Sequence, residues 1–315
     1  MIILNISFLF PGQGSQYSNM GKDFYDNFLI VKRIFEEASD ILHKNIFSLI
    51  FKSSEKELEK TENSQLSIFI VSVSLFKVFE KHFNILPNVC AGLSLGEYSA
   101  LLAAKKIFFK DTLLLVEKRA KLMSLSCKKN RGAMSAVLGL ESKKIEEIID
   151  KLKKSYKIWI ANYNTEYQIV ISGSLDGIKE AEKLLLEEGA KKIVSIKVEG
   201  AFHSGLMKDI EKDFKKEVDK VEFKNSDVGI VMNVTGDYVE FKDIKKCLVK
   251  QITNSVRWKD SIFNMVKKGV EIFLEIGPKK TLTNMNKKNA PECKNLNLEK
   301  VSDLDILEKE LKSLC

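Results

Sequence analysis

Residues 89–98 read Val-Cys-Ala-Gly-Leu-Ser-Leu-Gly-Glu-Tyr, a stretch that contains the pattern Gly-x-Ser-x-Gly around Ser94. Small and apolar residues precede the serine, and a helix-forming run through Ala104 follows it. The two glycines have no Cβ, so the backbone can turn tightly between them and leave the Ser94 hydroxyl exposed. The stretch therefore predicts a strand, a sharp turn that carries the serine, and a helix.

The helix predicted after Ser94 would direct its free amides and the positive end of its dipole towards a carbonyl oxygen that gains negative charge. Gly-x-Ser-x-Gly alone is a loose pattern, and turns without function also satisfy it. The apolar strand before it and the helix after it favour the functional interpretation here.

The chain has 315 residues, of which 44% are hydrophobic and 30% charged, as in a soluble globular protein. This length predicts one large domain with a smaller domain inserted or appended. No apolar run reaches the length of a membrane span, and the N-terminus lacks the layout of a signal peptide. We therefore expect a cytoplasmic protein that contacts no membrane. The five cysteines show no Cys-x-x-Cys spacing, which predicts free thiols and no metal site.

The formal net charge is +8, from 51 basic and 43 acidic residues. A positive excess suits an anionic substrate or partner, but a lysine-rich solvated surface gives the same balance. No basic run is interleaved with aromatic residues, so we expect no binding to nucleic acid.

An apolar run over residues 2–10 predicts a buried strand, and a glycine-rich loop, residues 11–16, follows it directly. Such a loop lies at the C-terminal edge of its strand, where open parallel sheets hold their ligands. On this pattern alone, the loop is equally a simple turn or a place where Gln13 offers its backbone N–H to a ligand.

Between residues 133 and 198 the pattern changes to short alternating elements. Strands are predicted at 133–138, 158–163, 168–172 and 192–198, and helices at 142–154 and 175–188. The order βαββαβ predicts a small ferredoxin-like domain, residues 132–199. It would be inserted into a large α/β-hydrolase-like domain, residues 1–131 and 200–315, with a parallel sheet and the serine turn.

The remaining elements of the large domain follow from hydrophobic periodicity. Helices are predicted over 23–50, 55–83, 111–126, 204–218, 243–254 and 259–268, and strands over 229–234 and 270–275. The polar tail, residues 286–315, predicts a single amphipathic helix over 303–314.

A serine hydroxyl needs a neighbouring base, which is usually histidine near neutral pH. The chain has three histidines. His43 lies in an amphipathic helix, and His82 ends the helix before the serine strand, a strand length of ~17–20 Å from Ser94. His203 lies in a turn rich in small residues, where the small domain rejoins the large one, and is the predicted base.

The third member of a triad is less evident. An α/β-hydrolase has an acid after the serine and a histidine late in the chain. No histidine follows His203, and the small domain separates it from Ser94. Glu97 and Glu275 are both candidates, and neither has a signature.

Several motifs, in order and at similar spacing, resemble those of the malonyl-CoA:acyl carrier protein transacylases, the loading enzymes of type II fatty acid synthesis. The resemblance spans nearly the whole chain. Its motifs lie at residues 10–16, 92–98, 119, 132–134, 161–164, 168–173, 200–204, 233–235, 251 and 275–278.

The resemblance implies that Ser94 attacks the malonyl thioester and that His203 takes its proton and returns it to the leaving thiol. The backbone N–H groups of Gln13 and Leu95 would form the oxyanion hole. Each of these roles suits the chemistry that the local sequence already predicts.

The resemblance further implies that Arg119 holds the malonate carboxylate through a bidentate pair, which lysine could not form. Without the resemblance, the favoured interpretation is that Arg119 lies on a solvated helix face. Gln251 would orient His203 through a carbonyl in place of an acid. Phe202 would line the malonyl pocket, where its ring would crowd the extra methyl of methylmalonyl, a weak discrimination of ~1–3 kcal/mol.

One departure from the family pattern lies beside the nucleophile. Many members have histidine immediately before the serine, and this chain has Leu93. Because that histidine is not the base, we expect the leucine to be tolerated, with less polar support beside the turn.

The function that the resemblance implies is an acyltransferase with ping-pong kinetics and no bound cofactor. Malonyl-CoA would load Ser94, and the phosphopantetheine thiol of an acidic acyl carrier protein would take the malonyl group. We expect the enzyme to be a monomer. Two alternatives remain: a serine hydrolase that uses Ser94 and His203, and a non-catalytic module that only binds carrier protein.

Overall fold

The computed structural model describes residues 5–312, which form two sheets with surrounding helices. The strands are β1 (Ile6–Phe10), β2 (Val89–Gly92), β3 (Ala133–Leu138), β4 (Ile158–Thr165), β5 (Gln168–Gly173), β6 (Lys192–Ser195), β7 (Gly229–Met232), β8 (Asp237–Tyr238), β9 (Ile272–Ile276) and β10 (Lys294–Leu298). The α-helices are α1 (Lys22–Asn27), α2 (Leu29–Leu42), α3 (Ile46–Phe51), α4 (Glu55–Glu59), α5 (Thr61–Phe83), α6 (Gly96–Ala103), α7 (Phe109–Lys129), α8 (Ser142–Leu152), α9 (Leu175–Glu187), α10 (Glu211–Lys220), α11 (Ile244–Gln251), α12 (Trp258–Lys267), α13 (Thr281–Asn289) and α14 (Asp303–Lys312).

The larger sheet has the strand order β10-β9-β1-β2-β7-β8 and is parallel except for the edge strand β8. Every residue of β1 is buried, as expected for a parallel strand that is covered on both faces. Phe8 packs edge-to-face on Phe79 of α5, with ring centroids 5.2 Å apart. In the β1–β2 register Phe10 is paired with Gly92, so the loops after both strands meet at one edge.

The second sheet is antiparallel, with the order β4-β5-β3-β6. One of its faces packs against α8 and α9 in a hydrophobic cluster of its own, which includes Ile145, Ile171 and Leu185. The opposite face contributes Met134 and Val170 to the core shared with the large sheet. The predicted α/β fold with a parallel sheet is thus confirmed, and the elements predicted between residues 133 and 198 occur in the predicted order.

The helix predicted over 303–314 is confirmed by α14 in its described residues, but β10 and α13 were both missed. β10 reads Lys-Asn-Leu-Asn-Leu and lies at the sheet edge, where only Leu298 is buried. The sequence of α13 is mostly Thr, Asn and Lys, and it gives no clear apolar face. The large sheet therefore does not end with the strand predicted at 270–275.

The helix predicted over residues 23–50 is divided into α1, α2 and α3. Phe28 is extended between the first two, and His43 is left-handed (φ 50°) after the second. Residues 2–4 of the first predicted strand and 313–314 of the last predicted helix lie outside the described residues. Between residues 5 and 312, no helix is both long and apolar enough to cross a membrane.

Candidate active site

Ser94 lies on the sharp turn between β2 and α6, as the glycine pattern predicts. Its backbone is left-handed (φ 53°), a conformation that costs energy in a non-glycine residue and concentrates at functional sites. A Cβ on Gly92 would lie 2.0 Å from the carbonyl carbon of Gly96, and one on Gly96 would lie 2.0 Å from the Phe10 oxygen. The two glycines therefore allow α6 to pack directly against the ends of β1 and β2.

The imidazole of His203 contacts Ser94 directly, with 2.8 Å between Nε2 and the serine Oγ. The other ring nitrogen, Nδ1, lies 2.8 Å from the backbone carbonyl oxygen of Gln251. A carbonyl only accepts hydrogen bonds, so Nδ1 carries the proton and Nε2 is free to accept from the hydroxyl. Burial and the charge of Arg119 lower the pKa of His203 to about 4, which keeps the ring neutral.

Glu97 and Glu275 were the candidates for an acid that orients His203, and neither forms a hydrogen bond with it. Glu275 instead accepts from the amides of Leu282 and Thr283 at the start of α13. Glu97 bonds to the side chain of Gln251 and to the backbone N–H of Asn233. A main-chain carbonyl thus occupies the position of the expected acid.

Arg119, on α7, is only 1% exposed, so its interpretation as part of a solvated helix face is wrong. Its Nη1 donates to Gln65 at 2.6 Å, and its Nη2 lies 3.0 Å from Ser94 Oγ and 2.9 Å from the Gln251 side-chain oxygen. Its Nε is buried without a partner in the part of the chain that is described. The guanidinium therefore lies beside the nucleophile with one donor unused.

Gln13 lies on the loop after β1 and lines the cavity at Ser94, and Leu95 directly follows Ser94 on the loop after β2. Across residues 5–312, no acceptor is paired with either backbone N–H. Ser94, His203, Gln13 and Phe202 line a cavity of about 210 Å³. A larger cleft of about 830 Å³, beside Phe263, contains none of the predicted site residues.

The residue that holds the turn, Asn233, lies in one of the motifs of the resemblance, residues 233–235, but no role was predicted for it. The Asn233 side chain accepts from the Ser94 N–H at 2.6 Å and donates to the Gly92 carbonyl at 2.7 Å. Asn233 directly follows β7, the neighbour of β2, so only the strand order could have placed it here. Gln65, the partner of Arg119, likewise has no local signature. Among the described residues, no group of His, Cys, Asp and Glu could hold a metal ion.

A family model described as the acyl transferase domain matches residues 7–307. The chain belongs to the acyl transferase family. Among its relatives in this family is the malonyl CoA-acyl carrier protein transacylase of Bacillus subtilis (strain 168), which is 39% identical over 311 residues, 98% of this chain and 97% of the relative. The enzyme of the same name from Staphylococcus aureus (strain MRSA252) is 36% identical over 94% of this chain and 96% of its own length.

Solved structures of acyl transferase family members share the fold along the whole chain. The MCAT of Streptococcus pneumoniae has a TM-score of 0.92 at 35% identity, covering 97% of this chain and 99% of that one. A malonyl-transacylase in complex with a type II PKS acyl-carrier protein has a TM-score of 0.94 at 31% identity, with coverage of 97% and 99%. The resemblance of the motifs to malonyl-CoA:acyl carrier protein transacylases is thereby confirmed.

Proposed function

We propose that this acyltransferase moves the malonyl group from malonyl-CoA to the phosphopantetheine thiol of an acyl carrier protein. The observation that carries the proposal is the position of the buried Arg119, whose Nη2 lies 3.0 Å from the Ser94 hydroxyl. A cation fixed beside the nucleophile suits an acyl group that ends in a carboxylate. The names of the relatives support the same substrate and acceptor.

In the first half-reaction, Ser94 Oγ attacks the thioester carbonyl while His203 Nε2 takes the hydroxyl proton. The unpaired N–H groups of Gln13 and Leu95 would receive the oxyanion that forms. As the tetrahedral intermediate collapses, the carbon–sulfur bond breaks, and His203 returns the proton to the CoA thiolate. The second half-reaction runs in reverse, with the carrier thiol as nucleophile and Ser94 as leaving group.

Three residues would position the reacting groups. Arg119 would bind the malonate carboxylate through its guanidinium, whose Nη2 lies beside Ser94 Oγ. The Gln251 backbone carbonyl would hold His203 in the tautomer that accepts the serine proton. Phe202, which is 5% exposed in the cavity lining, would crowd acyl groups larger than malonyl.

We also propose the finer division of the fold that the sequence predicts. Residues 132–199 would form the ferredoxin-like domain, which the strand order β4-β5-β3-β6 and a separate hydrophobic cluster support. Residues 1–131 and 200–315 would form the hydrolase-like domain. The enzyme would act as a cytoplasmic monomer without bound cofactor, and its +8 charge suits an acidic carrier and the CoA phosphates.

The test is the mass of the intact protein after brief exposure to malonyl-CoA. We expect the mass of one malonyl group to be added, to disappear when carrier protein is supplied, and to be absent from Ser94→Ala. An adduct on Ser94→Ala would mean that another residue is the nucleophile. Release of free malonate without carrier would favour the hydrolase, and carrier binding without any adduct would favour the non-catalytic module.

A further inference from the structure

Glu97 lies beneath the serine turn, where it is fully buried. Its Oε2 accepts from the Gln251 side-chain Nε2 at 2.5 Å, and its Oε1 accepts from the backbone N–H of Asn233. Both partners are donors, so an acid proton on Glu97 would find no acceptor in either of them. Burial raises the pKa of Glu97 to about 8, although these donors and the charge of Arg119 act in the opposite direction. Its place in the site is defined by geometry, because each of its two oxygens accepts a hydrogen bond.

The Gln251 amide lies between this carboxylate and the arginine. Its Nε2 donates to Glu97 and, at 2.9 Å, to the backbone carbonyl of Ser94. Its Oε1 accepts from Arg119 Nη2 at 2.9 Å. An amide has one donor end and one acceptor end, so its orientation decides which end Arg119 meets.

We propose that Glu97 is a positioning residue that fixes the orientation of the Gln251 amide and thereby holds Arg119 beside Ser94. With the amide turned around, its NH₂ group would face the guanidinium and its oxygen would face the carboxylate. Both contacts would be unsatisfied in a buried site, which is costly. Glu97 therefore has a part in the preference for acyl groups that carry a carboxylate, and this inference rests on the proposed function.

The test is Glu97→Gln, which keeps the side-chain size and replaces one acceptor oxygen with a donor NH₂ group. If the new amide oxygen accepts from the Asn233 N–H, its NH₂ group faces the NH₂ group of Gln251, and only the Ser94 carbonyl and Arg119 still favour the amide orientation that Arg119 needs. We expect the ratio of kcat/KM for serine loading from malonyl-CoA to that from acetyl-CoA to fall by about tenfold or more, as for a lost hydrogen bond to a charged group. On an Arg119→Ala background, the same change should leave the ratio unaltered, because the two residues act through one contact.

Glu275→Gln is the matched control. It neutralises another buried glutamate, whose partners are Leu282 and Thr283 and which has no contact with Gln251 or Arg119. We expect it to lower stability without changing the malonyl-to-acetyl ratio. If Glu97→Gln lowered the kcat/KM for malonyl-CoA and for acetyl-CoA equally, the proposal would be overturned, because a merely structural role lowers both values alike.

A second variant covers the case in which Glu97→Gln does not fold. Gln251→Met removes the amide and keeps the backbone carbonyl that contacts His203, so the ratio should fall there too; an unchanged ratio would also overturn the inference. Loading of the unaltered enzyme distinguishes a wrong function from a wrong role for Glu97. If the unaltered enzyme gains no malonyl mass, the proposed function is wrong; if it prefers malonyl and these variants keep that preference, only the role of Glu97 is wrong.

Discussion

Ser94 Oγ lies 2.8 Å from His203 Nε2, and both residues have a left-handed backbone, with φ of 53° and 55°. Two non-glycine residues in a disfavoured conformation, meeting at one hydrogen bond, indicate that the fold stabilises this contact at some energetic cost. On the other side of the ring, Nδ1 of His203 donates to the backbone carbonyl of Gln251, which carries no charge. Within residues 5–312, no carboxylate bonds to the imidazole to stabilise its protonated form, and the positive charge of Arg119 disfavours that form.

The first prediction concerns the dependence of serine loading on pH. Because the pKa of His203 is lowered to about 4, the ring stays an effective base well below neutral pH. We expect the kcat/KM for loading to hold between pH 7 and pH 5 and to fall only near pH 4. Acetyl-CoA is the control substrate, since it has no carboxylate that titrates in this range. An acid limb at pH 6 or above would contradict the prediction.

The same shift affects stability, with a defined sign. A histidine whose pKa is lowered by folding stabilises the native state above its ordinary pKa of ~6.5 and loses that contribution as pH falls towards the folded-state value. The folded-state value here is about 4. Urea denaturation should therefore show a decrease in the free energy of unfolding from pH 6.5 to pH 4 that is smaller in His203→Ala.

The second prediction concerns Arg119. Arg119→Ala should lower loading from malonyl-CoA by about 10–100-fold, the range for hydrogen bonds to a charged group, and loading from acetyl-CoA much less. Arg119→Lys keeps the charge but not the planar guanidinium, so its loading from malonyl-CoA should lie between that of the unaltered enzyme and that of Arg119→Ala. Arg257→Ala, which removes an exposed arginine paired with Asp260, is the control. An equal loss for both substrates would mean that Arg119 only supports the fold.

The third prediction concerns Leu93, which stands where many members of the family have histidine. Leu93 lines the cavity and packs against the apolar cluster beneath it, while His203 already bonds to Ser94. Leu93→His should therefore change the loading rate by less than about tenfold, or ~1.4 kcal/mol in the barrier. A larger change in either direction, measured by rapid-quench mass analysis, would show that the leucine has a function of its own.

Local patterns were enough to predict some of these features and not others. The turn at Ser94 depends on residues two positions away, so the glycines predict it directly. Arg119 lies on a helix with lysines on both sides, and its burial follows only from the packing of α7 against α5. Asn233 is 139 residues from Ser94 in the chain, and strand order alone brings them together. The strand β10 was missed because an edge strand needs little apolar sequence.

The last prediction compares two glycines near the active site, one required by close packing and the other by its backbone conformation. Gly92 has an ordinary backbone conformation, but an added Cβ would lie 2.0 Å from the Gly96 carbonyl carbon. Gly14 has the opposite character, with a φ of +102° and no atom within 4 Å of an added Cβ. Gly14→Ala should therefore cost only the conformational strain of one residue, ~1–2 kcal/mol in the free energy of unfolding.

Gly92→Ala should cost ~3 kcal/mol, the upper end of the range for overpacking, because backbone that is held in the core cannot move away from the new methyl group. Part of this cost would come from displacing α6 and with it the Ser94 turn, so the fraction that folds should also load malonyl more slowly. Urea denaturation measures the first effect, and the mass of the malonyl-enzyme measures the second. If Gly92→Ala were as stable as Gly14→Ala and loaded at the unaltered rate, close packing of α6 against the strand ends would not be what exposes the serine.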